Sequence, residues 1–215
     1  MNTGENRLVL HHLTRGRVGK PVHADSEDKE AFYQAQLEKI KRFSDQVRSG
    51  AILGSTGKKF STVVQIGIGG SDLGPRALYL ALKGWCTSAN IELLDAQFIS
   101  NVDPDDAQAV LAGLDLESTL FILVSKSGTT LETLTNRDLV FQAIADSGIR
   151  GIDPAKHMVA VTSKTSPLAS SSTVLDSFFI DDYIGGRYSS TSAVGGVILS
   201  LAFGFDTFRT FLDGA

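Results

Sequence analysis

The sequence predicts an α/β fold, a doubly wound parallel sheet in three αβα layers, preceded by an N-terminal helical arm. From residue 58 onward, apolar segments of strand length alternate with segments of helical period. Several of the strand segments are almost uniformly apolar, which is typical of parallel strands covered by helices on both faces. Strand–helix alternation of this kind builds right-handed βαβ units.

Composition excludes several functional classes. The formal net charge of -4 offers no basic surface for nucleic acid. Cys86 is the only cysteine, which excludes an internal disulfide and a cysteine-based zinc site. The four histidines have no metal-ligand spacing, so no metal site is predicted. No apolar run is long enough to span a bilayer and no signal peptide is visible, so we expect a cytoplasmic protein without a membrane partner.

Residues 1–57 differ from the rest and are predicted to form the arm. An amphipathic helix is expected over 25–49, with Ser26 as its N-cap and Gly50 at its end. Residues 58–215 are then the main domain. Its predicted strands are 62–68, 91–100, 119–125, 157–162 and 177–182. Its predicted helices are 74–83, 105–114, 131–147, 166–175 and 192–201.

The first polar cluster, residues 67–75, joins a strand to a helix. Gly69 and Gly70 allow a ligand to approach the backbone, and Ser71 and Asp72 can bind sugar hydroxyls. A tight turn capped by Ser71 or Asp72 is an equally good interpretation. The glycine spacing does not match the dinucleotide fingerprint, which disfavours a nucleotide-binding domain.

The second cluster is the most informative. Four hydroxyl groups, a lysine and a glycine follow an apolar strand and open a helix: Ser125, Lys126, Ser127, Gly128, Thr129 and Thr130. Hydroxyls, free N–H groups and the helix dipole all favour an anion at such a point. The sequence therefore predicts a phosphate cradle, and the ligand is expected to be a small phosphorylated molecule. An N-cap with incidental hydroxyls is the plainer alternative.

The third cluster places Arg187 directly after two glycines that follow a strand. Its guanidinium is always charged and could stabilise an oxyanion on a substrate. A structural ion pair with Asp181 or Asp182 is the alternative.

Together these clusters resemble the glucose-6-phosphate isomerase (phosphoglucose isomerase) family. Its motifs appear in order as G-I-G-G-S-D-L-G-P, S-K-[ST]-x-T-T-x-E-T and G-G-R-[FY]-S, and residues 5–11 are similar to its E-x-R-x-V-L-H segment. The resemblance implies sugar-isomerase (SIS) domains of flavodoxin-like topology. It also implies an enzyme of glycolysis and gluconeogenesis that interconverts glucose 6-phosphate and fructose 6-phosphate through an enediolate, without a cofactor.

The resemblance also implies roles for individual residues. Gly70 and Ser71 match the turn that contacts the sugar, and residues 125–130 match the phosphate loop, with Ser127 where many members have threonine. Arg187 matches the arginine that stabilises the enediolate. Glu132 matches an acid that supports the histidine that opens the sugar ring and does not itself contact the sugar.

The family's general-base glutamate, ring-opening histidine and a further lysine lie beyond the point that matches Ala215. We therefore expect a fragment of a longer, homodimeric enzyme: the arm and first SIS domain, binding sugar phosphates weakly with little turnover. The alternative is a non-catalytic SIS domain that senses sugar phosphates, although a sensor does not require the charge that Arg187 carries.

Overall fold

The computed structural model describes residues 9–16 and 21–215. Residues 5–8, which carry part of the N-terminal resemblance, lie outside these ranges. A two-stranded antiparallel ribbon, β1 (His23–Ala24) and β2 (Glu27–Asp28), leads into the long helix α1 (Lys29–Ser49). Asp28 rather than Ser26 caps this helix, because its carboxylate accepts a hydrogen bond from the Ala31 N–H while Ser26 lies in a turn with φ 61°.

The predicted parallel sheet is present. Its strands are β3 (Thr62–Ile66), β4 (Asp95–Ile99), β5 (Thr119–Val124), β6 (Met158–Thr162) and β7 (Asp176–Phe179). They lie in the order β4-β3-β5-β6-β7, and every neighbouring pair is parallel. This is the flavodoxin-like arrangement, whose strand order reverses between β3 and β5. Ligands in such sheets bind outside the carboxyl ends of the strands at that reversal.

Helices cover both faces of the sheet, as the sequence predicts. They are α2 (Leu73–Ser88), α3 (Pro104–Ala112), α4 (Leu131–Asp146), α5 (Ala193–Phe203) and α6 (Phe205–Gly214). One face packs against α1, α2 and α5, and the other packs against α3 and α4. Side chains alternate along β5 between these two cores, since Ile122 belongs to the first and Leu123 to the second.

Helix α1 shares the first core with the sheet. Leu37, Ile40, Phe43 and Val47 are buried in the same cluster as the strand residue Phe178, and the rings of Phe43 and Phe178 are 5.2 Å apart. The division into an arm of residues 1–57 and a domain of residues 58–215 stays a prediction.

The helix predicted over 166–175 is wrong, because this segment forms turns between β6 and β7. Pro167 follows Ser166, whose hydroxyl accepts the Leu168 N–H, and the Ser171 hydroxyl accepts the Thr173 N–H. Short side chains that bond the local backbone in this way compete with helix formation. Within the described residues, the structure has no helix with the length and apolarity needed to cross a membrane.

Candidate functional site

All three polar clusters lie at the carboxyl edge of the sheet. The first follows β3 and forms a 3₁₀ turn over Gly69–Ser71 before α2. Gln65, the one polar residue between the apolar positions of β3, donates from Nε2 to the Ser71 carbonyl over 2.7 Å and so fixes the turn. The predicted sugar-contacting residues Gly70 and Ser71 are both partly accessible here.

The interpretation of Asp72 as a side-chain cap of α2 is wrong. Its carboxylate makes no capping hydrogen bond to α2 and is buried against Arg76, whose Nε donates to Oδ1 over 2.9 Å. Burial raises the pKa of the Asp72 carboxyl, and the Arg76 guanidinium partly offsets that shift. The Asp72–Arg76 pair thus joins the end of the first turn to α2.

The second cluster forms a closed loop between β5 and α4. The Ser125 hydroxyl is buried, accepts the Gly128 N–H at 3.1 Å and is hydrogen-bonded to the Thr130 hydroxyl at 2.9 Å. Gly128 has φ 70°, and a Cβ atom there would overlap the Ser166 hydroxyl. The loop therefore depends on glycine at this position for both its backbone and its packing.

The outer side of this loop presents hydroxyl groups and a helix start. Ser127 and Thr129 are exposed, and the Thr129 N–H and hydroxyl both donate to the Ser127 oxygen. Helix α4 begins at Leu131, and the Thr130 side chain does not cap it. The first N–H groups of a helix have no intrahelical partner, so this end can receive an anion. Glu132 is exposed in the first turn.

The third cluster packs directly on the first. Arg187 lies in a 3₁₀ turn over Gly186–Thr191, and the Ser189 hydroxyl donates to the carbonyl oxygens of Gly70 and Gly186. A Cβ atom on Gly70 would overlap the Gly186 backbone. An open cavity of 560 Å³ lies between these turns and the start of α2. It is lined by Gly69, Gly70, Leu73, Gly74, Gly186 and Arg187.

Arg187 has no ion-pair partner among residues 9–16 and 21–215, so the alternative of a bridge to Asp181 or Asp182 is wrong. Asp181 instead accepts a hydrogen bond from the Tyr33 hydroxyl at 2.8 Å and pairs with Lys29 at 3.3 Å. Asp182 pairs with Lys126 of the second cluster at 3.3 Å. The two aspartates thus connect the Arg187 turn to α1 and to the hydroxyl loop.

These links were missed in the sequence because they join residues far apart in the chain. The sequence shows two adjacent carboxylates, Asp181 and Asp182, but it does not indicate which residues they contact.

Two of the described histidines, His157 and His11, make structural contacts. His157 is buried at the amino end of β6, where Nδ1 lies 3.0 Å from the Thr119 carbonyl oxygen and Nε2 accepts the Ser55 N–H. The His11 ring stacks on Tyr188 with centroids 4.6 Å apart. No group of three or more histidine, cysteine, aspartate or glutamate side chains in the described ranges could hold a metal ion.

Comparisons with known proteins show the family of this chain. A sequence profile described as phosphoglucose isomerase matches residues 1–215. The chain belongs to the phosphoglucose isomerase family. It is 55% identical over 215 residues to a glucose-6-phosphate isomerase of Treponema denticola and 48% identical over 217 residues to one of Borreliella afzelii.

The fold of this family member also matches a solved structure. A crystal structure of a glucose-6-phosphate isomerase from Chlamydia trachomatis superposes with a TM-score of 0.82 at 42% identity, covering 96% of this chain and 37% of that one. The chain spans 40% of the Treponema denticola protein and 41% of the Borreliella afzelii protein. The predicted family and its α/β SIS-type fold are therefore confirmed.

Proposed function

We propose that this chain forms the sugar-phosphate-binding part of a glucose-6-phosphate isomerase that interconverts glucose 6-phosphate and fructose 6-phosphate. The observation that carries the proposal is the hydroxyl loop 125–130 at the strand-order reversal, on the same sheet edge as Arg187. A phosphorylated sugar needs an anion cradle at one end and a fixed positive charge at the reacting end, and this edge offers both.

The residues divide into binding and charge-stabilising groups. The exposed hydroxyls of Ser127 and Thr129, the ammonium of Lys126 and the N–H groups at the start of α4 receive the phosphate, while buried Ser125 holds the loop closed onto Thr130. Phosphate binding far from the reacting carbons supplies orientation for the chemical step.

The sugar end of the ligand lies in the cavity beside Gly70, Ser71 and Arg187. Isomerisation moves a proton between C1 and C2, and negative charge develops on the enediolate oxygens during that transfer. The Arg187 guanidinium stabilises this charge, and its freedom from any described ion pair supports the role. Glu132 supports the ring-opening histidine from the first turn of α4.

The base that moves the proton and the histidine that opens the ring are proposed to come from the rest of the family's chain. The 215-residue chain alone then binds sugar phosphates and turns over little. We further propose that the whole enzyme is a cytoplasmic homodimer that needs no cofactor and binds neither nucleic acid nor membrane.

Titration calorimetry on the 215-residue chain tests the proposed binding. Glucose 6-phosphate and fructose 6-phosphate should bind, whereas glucose and NAD should not. Ser127→Ala should weaken phosphate-ester binding by about 1 kcal/mol or more through loss of a charge-assisted hydrogen bond.

Ser49→Ala is the matched control, since Ser49 is an exposed serine at the far end of α1. An affinity that Ser127→Ala leaves unchanged, or a response to NAD alone, would contradict the proposal.

A further inference from the structure

The ammonium of Lys126 is shared between two loops. Its backbone is fixed, because the Lys126 carbonyl accepts the Ser163 N–H at 3.0 Å. Its Nζ lies 3.3 Å from Oδ1 of Asp182, on the turn that leads to Arg187. The Lys126 side chain is 30% exposed and the Asp182 side chain is 76% exposed. The pair is therefore accessible to solvent beside the hydroxyl loop, which is the proposed phosphate site.

A bound phosphate and the Asp182 carboxylate would compete for the ammonium of Lys126. A phosphate bound by the hydroxyl loop would attract the same ammonium that Asp182 now holds. It would also bring two negative charges close to a carboxylate, and this repulsion weakens binding. Asp182 further helps to hold Lys126 in place, but an exposed ion pair of this kind contributes little order or stability.

We propose that Asp182 is an affinity-limiting residue of the phosphate loop: it competes with bound phosphate for Lys126. The inference rests on the proposed function. Substrate and product of an isomerase carry the same phosphate, so binding both more tightly does not accelerate the chemical step. A carboxylate that weakens this shared contact lets both ligands exchange faster.

The competition has a recognisable dependence on ligand charge. Removing the Asp182 charge frees Lys126 for any anion, and it also removes a repulsion that is twice as large for a dianion as for a monoanion. Glucose 6-phosphate is largely dianionic at pH 8 because its second pKa is about 6. Glucose 6-sulfate has the same tetrahedral shape with a single charge.

The experiment is titration calorimetry at pH 8 on the 215-residue chain and its Asp182→Asn variant. Asp182→Asn should bind glucose 6-phosphate about fivefold more tightly and glucose 6-sulfate about twofold more tightly. In a Lys126→Met background, the same change should give only about a twofold gain for the phosphate, since no ammonium is left to release.

Asp45→Asn is the control for general charge. Asp45 is exposed, pairs with Lys41, and lies about 24 Å along α1 from Lys29. It should leave both affinities unchanged. Equal or weaker phosphate binding by Asp182→Asn, or an equal gain in Asp45→Asn, overturns this inference while leaving the proposed function intact. If neither the parent chain nor Asp182→Asn binds glucose 6-phosphate, the proposed function fails, and this inference fails with it.

Discussion

Gly70 and Gly186 let two turns from distant parts of the chain touch through their backbones. Gly70→Ala would place a Cβ atom inside the Gly186 backbone, and backbone cannot give way as a flexible side chain can. We expect this change to lower the free energy of unfolding by about 1–3 kcal/mol and to weaken binding of glucose 6-phosphate. Urea unfolding and calorimetry measure the two effects.

Gly84→Ala is the matched control for that change. Gly84 lies inside α2, and a Cβ atom there would meet nothing within 4 Å. Alanine should therefore raise the free energy of unfolding by about 0.5–1 kcal/mol, because it restricts the unfolded chain. If both variants are stabilised, the close approach of the two turns is not a constraint on the fold.

The site was predictable from the sequence as far as its parts are local. Ser125 and Thr130 follow a strand and precede a helix within a few residues, so their proximity is visible in the chain itself. The pairing of Lys126 with Asp182 was not predictable, because it depends on how two loops from β5 and β7 meet at the edge of the sheet. The same holds for Tyr33 and Asp181.

At the scale of elements, the start of α1 shows how two neighbouring polar residues differ. The Asp28 carboxylate caps the helix, whereas Ser26 has φ 61° and makes no cap. Asp28→Ala should therefore lower the free energy of unfolding by about 1 kcal/mol. Ser26→Ala should change it by less than about 0.5 kcal/mol. Chemical denaturation of both variants measures these two losses. A larger loss for Ser26→Ala than for Asp28→Ala would indicate that Ser26, and not Asp28, is the N-cap.

The elements themselves were predictable in proportion to their apolar patterning. Strand β5 is buried at every position, and its almost uniformly apolar sequence therefore predicted a buried strand. Segment 166–175 has enough apolar residues for a helix, but Pro167 and the hydroxyls of Ser166 and Ser171 favour turns. Its fold also depends on Gly128, over which Ser166 and Leu168 pack, and no local pattern shows that contact.

At the scale of the whole molecule, buried polar side chains of α1 contact Asp181, which precedes the Arg187 turn, and the Tyr33 hydroxyl is one of them. The Tyr33 hydroxyl, on the first turns of α1, donates to Asp181 at the start of that turn. Burial, together with the Asp181 carboxylate, raises the pKa of Tyr33 well above its ordinary value of 10.0. The folded chain therefore keeps this proton at a pH where the unfolded chain releases it.

This difference makes the whole fold sensitive to alkali. Above about pH 10 the unfolded state binds fewer protons than the native state, so the free energy of unfolding falls as pH rises, by up to about 1.4 kcal/mol per pH unit from this group. Tyr33→Phe should reduce that slope, and urea unfolding between pH 7 and 11 measures it. Between pH 7 and 9, where the tyrosine is protonated in both states, the two proteins should have equal slopes. Identical slopes above pH 10 would mean that Tyr33 ionises equally in both states, and that the contact between α1 and the Arg187 turn does not depend on its proton.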